Sequence, residues 1–399
     1  MKPILTTFTI LAVPVLLFGA VFAGMSLFGK YFVSPTPPEN SIEDASTAPN
    51  DPSNSTPSQP PDHPTIYVSI VTHSEDTLSP GNPDFAASES ATLQERDGVI
   101  AFAQMLSEHG ATYDWQSDWN FLLGLLAWDE GATEANGKNL ARYLVEDLGM
   151  SADPHSHQNK GYNYADVAYL IRELGVTPSG IVGGFIAAPV SSSIYDSLTA
   201  TLNGSKYPSY SWTPTALWGG GTAMHINETA QWVSGIWIPT SGADLFTPAQ
   251  EGTPVIGKYN AGFNGLDDLL EKQANGTLEA GNMYTMTITT NQNMLTADYI
   301  AEFENQLATY ADETAAGKIV WVTLPEALNI WKTQYQSKPT ILQYDGDGIA
   351  SPLSPRAAKS TGGTPSSSSK KSPLNDASAC GDGVCALPER IKGTCSEDC

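Results

Sequence analysis

Cysteine is missing from the first 379 residues of this 399-residue chain, since all four lie between Cys380 and Cys399. No disulfide can therefore brace the body of the protein, whose stability has to come from an apolar core. Basic residues are scarce, 19 Lys and Arg against 43 Asp and Glu, for a formal net charge of −24. A field of that sign repels phosphate backbones and anionic headgroups, so no nucleic-acid partner is expected. Gly-x-Ser-x-Gly does not occur, which argues against a nucleophilic serine elbow. No glycine-rich phosphate loop follows the first predicted strand, and "GIVGGF" has the wrong spacing for one. Histidine is rare, six in all.

What is present divides the chain into five parts. Residues 1–30 contain an uncharged apolar run, 4–28, longer than the roughly 20 residues that cross a bilayer. A retained membrane anchor is the first expectation and a cleaved signal peptide the alternative, because Val21-Phe22-Ala23 offers a small-residue cleavage site. Residues 31–64, rich in Pro, Ser and Thr, read as a disordered stalk, and 346–378, with "STGGTPSSSSKKSP", as a disordered linker. The tail 379–399 reads as a small knot of two disulfides, with a four-cysteine zinc site or a calcium site at Asp382, Glu389 and Asp398 as alternatives. The body is 65–345. Localisation at the cell surface follows, anchored or secreted.

Within the body, strand and helix patterns alternate. "TIYVSIVT" (65–72) is a β-branched apolar run, and 89–110 carries helical spacing ended by Gly110. The pattern continues with a helix over 136–149, a short strand at "MSADPHS", and a helix over 163–175 capped by Asn163 or a neighbour. A strand at "SGIVGGFI" follows, then strands at 231–239 and 283–290. A helix over 296–317, a strand over 318–324 and a helix over 325–335 complete the body. Such alternation predicts an α/β fold with a parallel sheet, and at this length a (β/α) barrel. Residues 187–282 read as long loops over one face. Trp115, Trp119, Trp128, Trp218 and "YPSYSW" (207–212) are there to stack on sugars or to fill the core.

Barrel sites gather where strands end. "VTHSEDT" closes the first strand and "DPHSHQ" a later one, so residues about eighty positions apart are expected to converge. His73, Glu75, His155 and His157 form a candidate metal set, a mixed N/O shell suited to Zn²⁺ or a similar divalent ion. The alternative is that His73 and His157 only hydrogen-bond loops. His225 follows three glycines in "LWGGGTAMHINE" and is a candidate metal or substrate contact. His63 falls in the stalk and His109 at a helix C-terminus, both structural places.

The order "VSIVTHSED", then His155-Ser156, then "KIVWVTLPEALNIW" resembles the polysaccharide deacetylase-like group of glycoside hydrolase/deacetylase barrels, over roughly 65–335. The resemblance implies an irregular seven- or eight-stranded barrel. It also implies that Glu75 or Asp76 takes the acidic roles of base and ligand, and that His155-Ser156 opens the second motif. The departures are specific. The second histidine of that motif falls on Asn159, with His157 two residues earlier; the Arg-x-Pro signature is absent unless "IWIP" (236–239) replaces it; and no histidine follows His225.

The function expected is an exported, membrane-anchored, metal-dependent hydrolase of an acylated or N-acetylated polysaccharide. Asp76 or Glu75 would take the proton of a water, and an imidazole, with His225 a candidate, would protonate the leaving group. The competing expectation is a non-catalytic surface protein that binds glycan on a degenerate barrel.

Overall fold

The computed structural model describes residues 64–74, 83–156, 160–185, Tyr195, 198–219, 233–259 and 262–343, all in one compact unit. The expectations for residues 1–30, the stalk to residue 63, the linker 346–378 and the tail 379–399 lie outside the described residues. Among those described, no helix is long and apolar enough to cross a membrane.

The first strand, β1 (Ile66–His73), is buried at every position, the signature of a strand covered on both faces. Its side chains alternate. Ile66, Val68 and Ile70 join one apolar cluster and Tyr67 and Val71 another, on opposite faces of the sheet. β2 (Asp114–Ser117) and β3 (Ser151–Pro154) extend the sheet beyond β1, and β8 (Tyr284–Asn291) lies on its other side, all parallel. β1 has two edges. One runs along β8 from Ile66↔Tyr284 to His73↔Asn291; the other is shared by β9 (Ile319–Trp321) at Ile66–Val68 and β2 at Val71–His73.

Helices cover the outer face. α1 (Glu89–Glu108) starts where the Ser88 side chain accepts from Ala91 N–H and ends before Gly110 at φ +67°. It buries Val99, Phe102, Ala103 and Leu106 against the Ile66, Val68 and Ile70 side of β1. Burial of each larger apolar chain contributes roughly 1.5–3 kcal/mol. α2 (Trp119–Trp128) is capped by Asp118, and α3 (Tyr164–Glu173) by an Asn163–Asp166 capping box, so of the expected caps it is Asn163 that serves.

The second sheet is β4 (Ile181–Phe185), β5 (Ala216–Gly219), β7 (Val255–Ile256) and β6 (Ile236–Trp237) in that order, with only β6 antiparallel to its neighbour. It faces the polar side of the first sheet. The two sheets meet at an isolated parallel bridge, His155↔Gly183, and across Thr285 of β8, whose hydroxyl accepts from Gly235 N–H at 2.8 Å and donates to Gly257 O at 2.9 Å. Among the described residues no continuous ladder closes these sheets into the expected barrel. Pro154 has no N–H to extend β3, and at Gly235, with φ +109°, a Cβ would overlap Thr340.

Three segments depart from expectation. The helix expected at 136–149 is one turn, Leu140–Arg142, running into a π turn at Tyr143–Asp147. The helix expected at 296–317 breaks at Tyr310, whose hydroxyl lies 3.1 Å from both Phe263 O and Asp267 Oδ1, leaving α5 (Ala297–Ala308) and a short α6 (Ala311–Ala315). The supposed loops of 187–282 contain β5, β6, β7 and α4 (Gly262–Ala274), which buries Phe263, Leu266 and Leu269. Most candidate stacking aromatics are core. Trp115, Trp119, Trp212 and Trp218 are buried, and Trp128 is exposed.

Candidate active site

Strand alternation places one side chain in two from the first sheet toward the second. From β1 these are Tyr67, Ser69, Val71 and His73, from β8 Thr285, Thr287, Thr289 and Asn291, from β2 Asp114 and Gln116, and from β3 Ser151 and Asp153. Apart from Tyr67 and Val71 this wall is polar, although all of it but Asn291 is buried. His155 continues the β3 stripe at the strand's C-terminal end, where its N–H donates to Ser117 O at 3.0 Å.

His73 and His155 therefore meet at the ends of parallel strands. Their ring centroids are 5.2 Å apart and the planes are inclined by 25°, and both residues are buried. Rings at this separation can stack directly. They can also both reach one ion, because a ligating imidazole nitrogen lies about 2 Å from the metal.

Gln116 organises the pair from behind. Its Oε1 accepts from His155 Nδ1 at 3.4 Å and its Nε2 donates to Asp153 Oδ2, also at 3.4 Å. With the amide oriented by Asp153, His155 takes the tautomer that presents a lone pair at Nε2. Asp153 Oδ1 accepts from Ser151 Oγ at 2.6 Å and from Ser179 Oγ. Burial pushes the Asp153 carboxyl up to about 6, against the pull of bonds from Ser151, Ser179 and Gln116. Asp114 is held well above the ordinary carboxylate range, first by burial and then by the Asp153 charge. A bond from Leu324 N–H at 2.9 Å, at the start of α7 (Leu324–Thr333), opposes that rise.

Two further groups line this interior. Thr289 Oγ1 is buried and has no hydrogen-bond partner among the described residues. An unsatisfied hydroxyl in a polar wall marks a place where a substrate or solvent oxygen is expected. Lys258, beyond β7, is 2% exposed, with Nζ 4.3 Å from the centre of the Trp218 ring. Trp218 in turn donates from Nε1 to Thr287 Oγ1 at 3.2 Å, so it reaches from the second sheet to the first.

Of the sequence-predicted residues, the structure brings His73 and His155 together. Glu75, Asp76, His157 and His225 lie outside the described residues. Among the described residues no group of three or more His, Cys, Asp or Glu side chains is placed to hold a metal ion. His109 caps α1 and its Nε2 lies 3.0 Å from Glu304 Oε1, as its structural assignment required. Sequence reasoning missed Asp114, Gln116 and Lys258, and gave Asp153 no role. The readable signal was the period-two polar stripe Ser151, Asp153, His155, which a strand sends to one face.

No family model matches this chain, and no curated protein matches it in sequence. Among solved structures, similarity extends to Puue allantoinase at TM-score 0.42 and 10% identity, over 69% of this chain and 94% of that one. A 4-alpha-glucanotransferase from Thermococcus litoralis gives 0.41 and 11%, over 69% of this chain and 41% of its own. A protein named for the glycoside hydrolase/deacetylase group, from Parabacteroides distasonis, gives 0.41 and 12%, over 69% and 73%. At these scores the likeness carries no inference about activity.

Proposed function

We propose that this protein hydrolyses an acyl ester or N-acetyl amide on a glycan, at a site built on His73 and His155. The observation that carries the reading is the imidazole pair at the ends of two parallel strands, one ring oriented from behind by Gln116. The buried hydroxyl of Thr289 on the same wall supports it.

The donor chemistry fits a divalent ion, zinc first. Two imidazoles stand together, and His155 makes through Nδ1 the outer hydrogen bond that metal-ligating histidines characteristically make. His73 and His155 would hold the ion, with Glu75 and His157 completing the set. Such an ion would supply Lewis-acid chemistry there, polarising an acyl oxygen and easing the loss of a proton from water. Asp76 or Glu75 takes that proton in this reading, and His225 is the candidate to protonate the leaving group. Gln116 keeps the His155 tautomer, and Asp153 keeps Gln116 from turning. Residues 4–28 would hold the domain at a membrane, on the outer side.

The test is metal analysis of the purified full chain together with acetate release from an acetylated glycan. The expected result is one retained ion, lost with activity in His155→Ala. Wild type without an ion and without acetate release, binding glycan as well as the variant does, would replace the hydrolase with a non-catalytic glycan-binding protein.

A further inference from the structure

On the helical side of the first sheet, a cavity of about 360 Å³ opens between α1, the turn after β8 and α5. Its volume is at the lower end of the range for small-molecule sites. Three carboxamides line it, those of Gln94, Gln292 and Asn293, together with the carboxylate of Glu95 and the apolar surfaces of Ala101 and Ile300. Gly98 sets its depth, because a Cβ there would stand 2.8 Å from Leu295 O and push the α5 side away.

Glu95 is the unusual member. It is largely buried, and burial raises its carboxyl above the ordinary range. Its hydrogen bond comes from Gln292 Nε2 at 3.1 Å, and no cation faces it among the described residues. The adjacent Arg96 is turned instead to Asp97 and Asp129, at 2.7 and 3.1 Å. Gln292 is itself fixed, since its Oε1 accepts from Trp115 Nε1 at 2.8 Å. A rigid carboxylate without a counter-charge, in a cavity of a chain with net charge −24, is a place for a cation.

The lining narrows the class. One carboxylate suits an ammonium, carboxamides offer donors and acceptors to hydroxyls, and the methyl surfaces suit a ring's C–H face. We infer that this cavity binds an amino sugar with a free primary ammonium, seated against Glu95. The site stands apart from the hydrolase reading. Gln292 directly follows Asn291, which pairs with His73, so the cavity and the imidazole pair flank the same strand end on opposite faces of the sheet. If N-acetyl groups are cleaved at the imidazole pair, the ligand class is that reaction's product.

The test titrates the full chain with glucosamine and with N-acetylglucosamine by saturation-transfer NMR. Glucosamine is expected to bind about tenfold tighter, the worth of one charge-assisted contact. Glu95→Gln should abolish that preference, and Ala101→Trp should block both sugars by filling the cavity. Equal binding of the two sugars, or a preference that survives in Glu95→Gln, overturns the inference. If propylammonium binds as tightly as glucosamine, the cavity is a cation site and the sugar assignment falls. These outcomes are read by binding alone, so they do not depend on whether acetate is ever released.

Discussion

Gly183 and Gln116 occupy one space between them. A Cβ added at Gly183 would overlap Gln116 Oε1 and stand 2.6 Å from its Cδ. The absent side chain is what lets the amide lie between Asp153 and His155.

Gly183→Ala should therefore disturb His155 before it disturbs the fold. The amide is expected to leave Nδ1, and the imidazole to lose its single tautomer. ¹⁵N chemical shifts of the ring read this directly, and Gln116→Leu should give the same shifts without touching Gly183. Overpacking of this kind costs about 1–3 kcal/mol. An unchanged His155 spectrum in both variants would remove Gln116 from its orienting role.

Asp153 makes a pH prediction with a definite sign. Its carboxyl, at about 6 in the folded chain against an ordinary 3.8, binds its proton more tightly when folded. The stability it contributes is complete below about pH 4 and is lost as pH rises through about 6, by up to about 3 kcal/mol. Asp153→Asn should flatten that part of the curve, because Asn keeps an acceptor for Ser151 and Ser179. Denaturant midpoints of both proteins between pH 3.5 and 7 measure it, and parallel curves would refute the shift.

Asp166 is a structural prediction. Its carboxylate accepts four backbone N–H bonds, from Asn163, Ser205, Lys206 and Tyr207, each at 2.9 Å. It caps α3 and pins the 203–207 turn at once. Asp166→Ala should cost roughly 2–4 kcal/mol, since four part-buried donors lose a charged acceptor together. Proteolysis within 203–210 should quicken in the variant, and a loss below 1 kcal/mol would show that the turn is held by other contacts.

Lys258 and Trp218 should be energetically coupled. A buried ammonium over an indole is worth about 2 kcal/mol. Trp218→Leu should cost more in wild type than in Lys258→Met, and a double-mutant cycle on unfolding free energies gives the difference. A coupling near zero would mean the ammonium is stabilised by something other than the ring.

The legible part of this molecule was the part whose pattern is local, an apolar β-branched run or an apolar helical stripe. β1, α1, α3, β8 and α7 stand close to where periodicity and caps placed them, because an apolar stripe or an Asn-x-x-Asp box is a local property. β2 was not legible. Its four residues, Asp-Trp-Gln-Ser, are all buried, yet two of them face a polar wall that exists only once β1 and β3 are beside it. The His73–His155 meeting was legible from strand ends alone. Gln116 was not, since its importance depends on a glycine 67 positions later leaving it room. The tryptophans left both readings open, for composition cannot separate a ring that stacks on a ligand from one that fills a core, and the structure buries Trp115, Trp119, Trp212 and Trp218.

The divided edge of β1 has a consequence for the order in which the chain can fold during synthesis. Its full-length neighbour, β8, begins at Tyr284, and the strand that covers Ile66–Val68 begins at Ile319. At about 5–20 residues per second, on the order of 10–40 s pass between the synthesis of Ile66 and that of Tyr284. Through that interval an uncharged, β-branched segment, Ile-Tyr-Val-Ser-Ile-Val, has emerged with at most its last turn of edge covered by β2. Exposed strands of this composition pair with whatever strand they meet. The central sheet can therefore close only late in synthesis, and a holdase that shelters residues 66–71 through that interval is expected to raise yield.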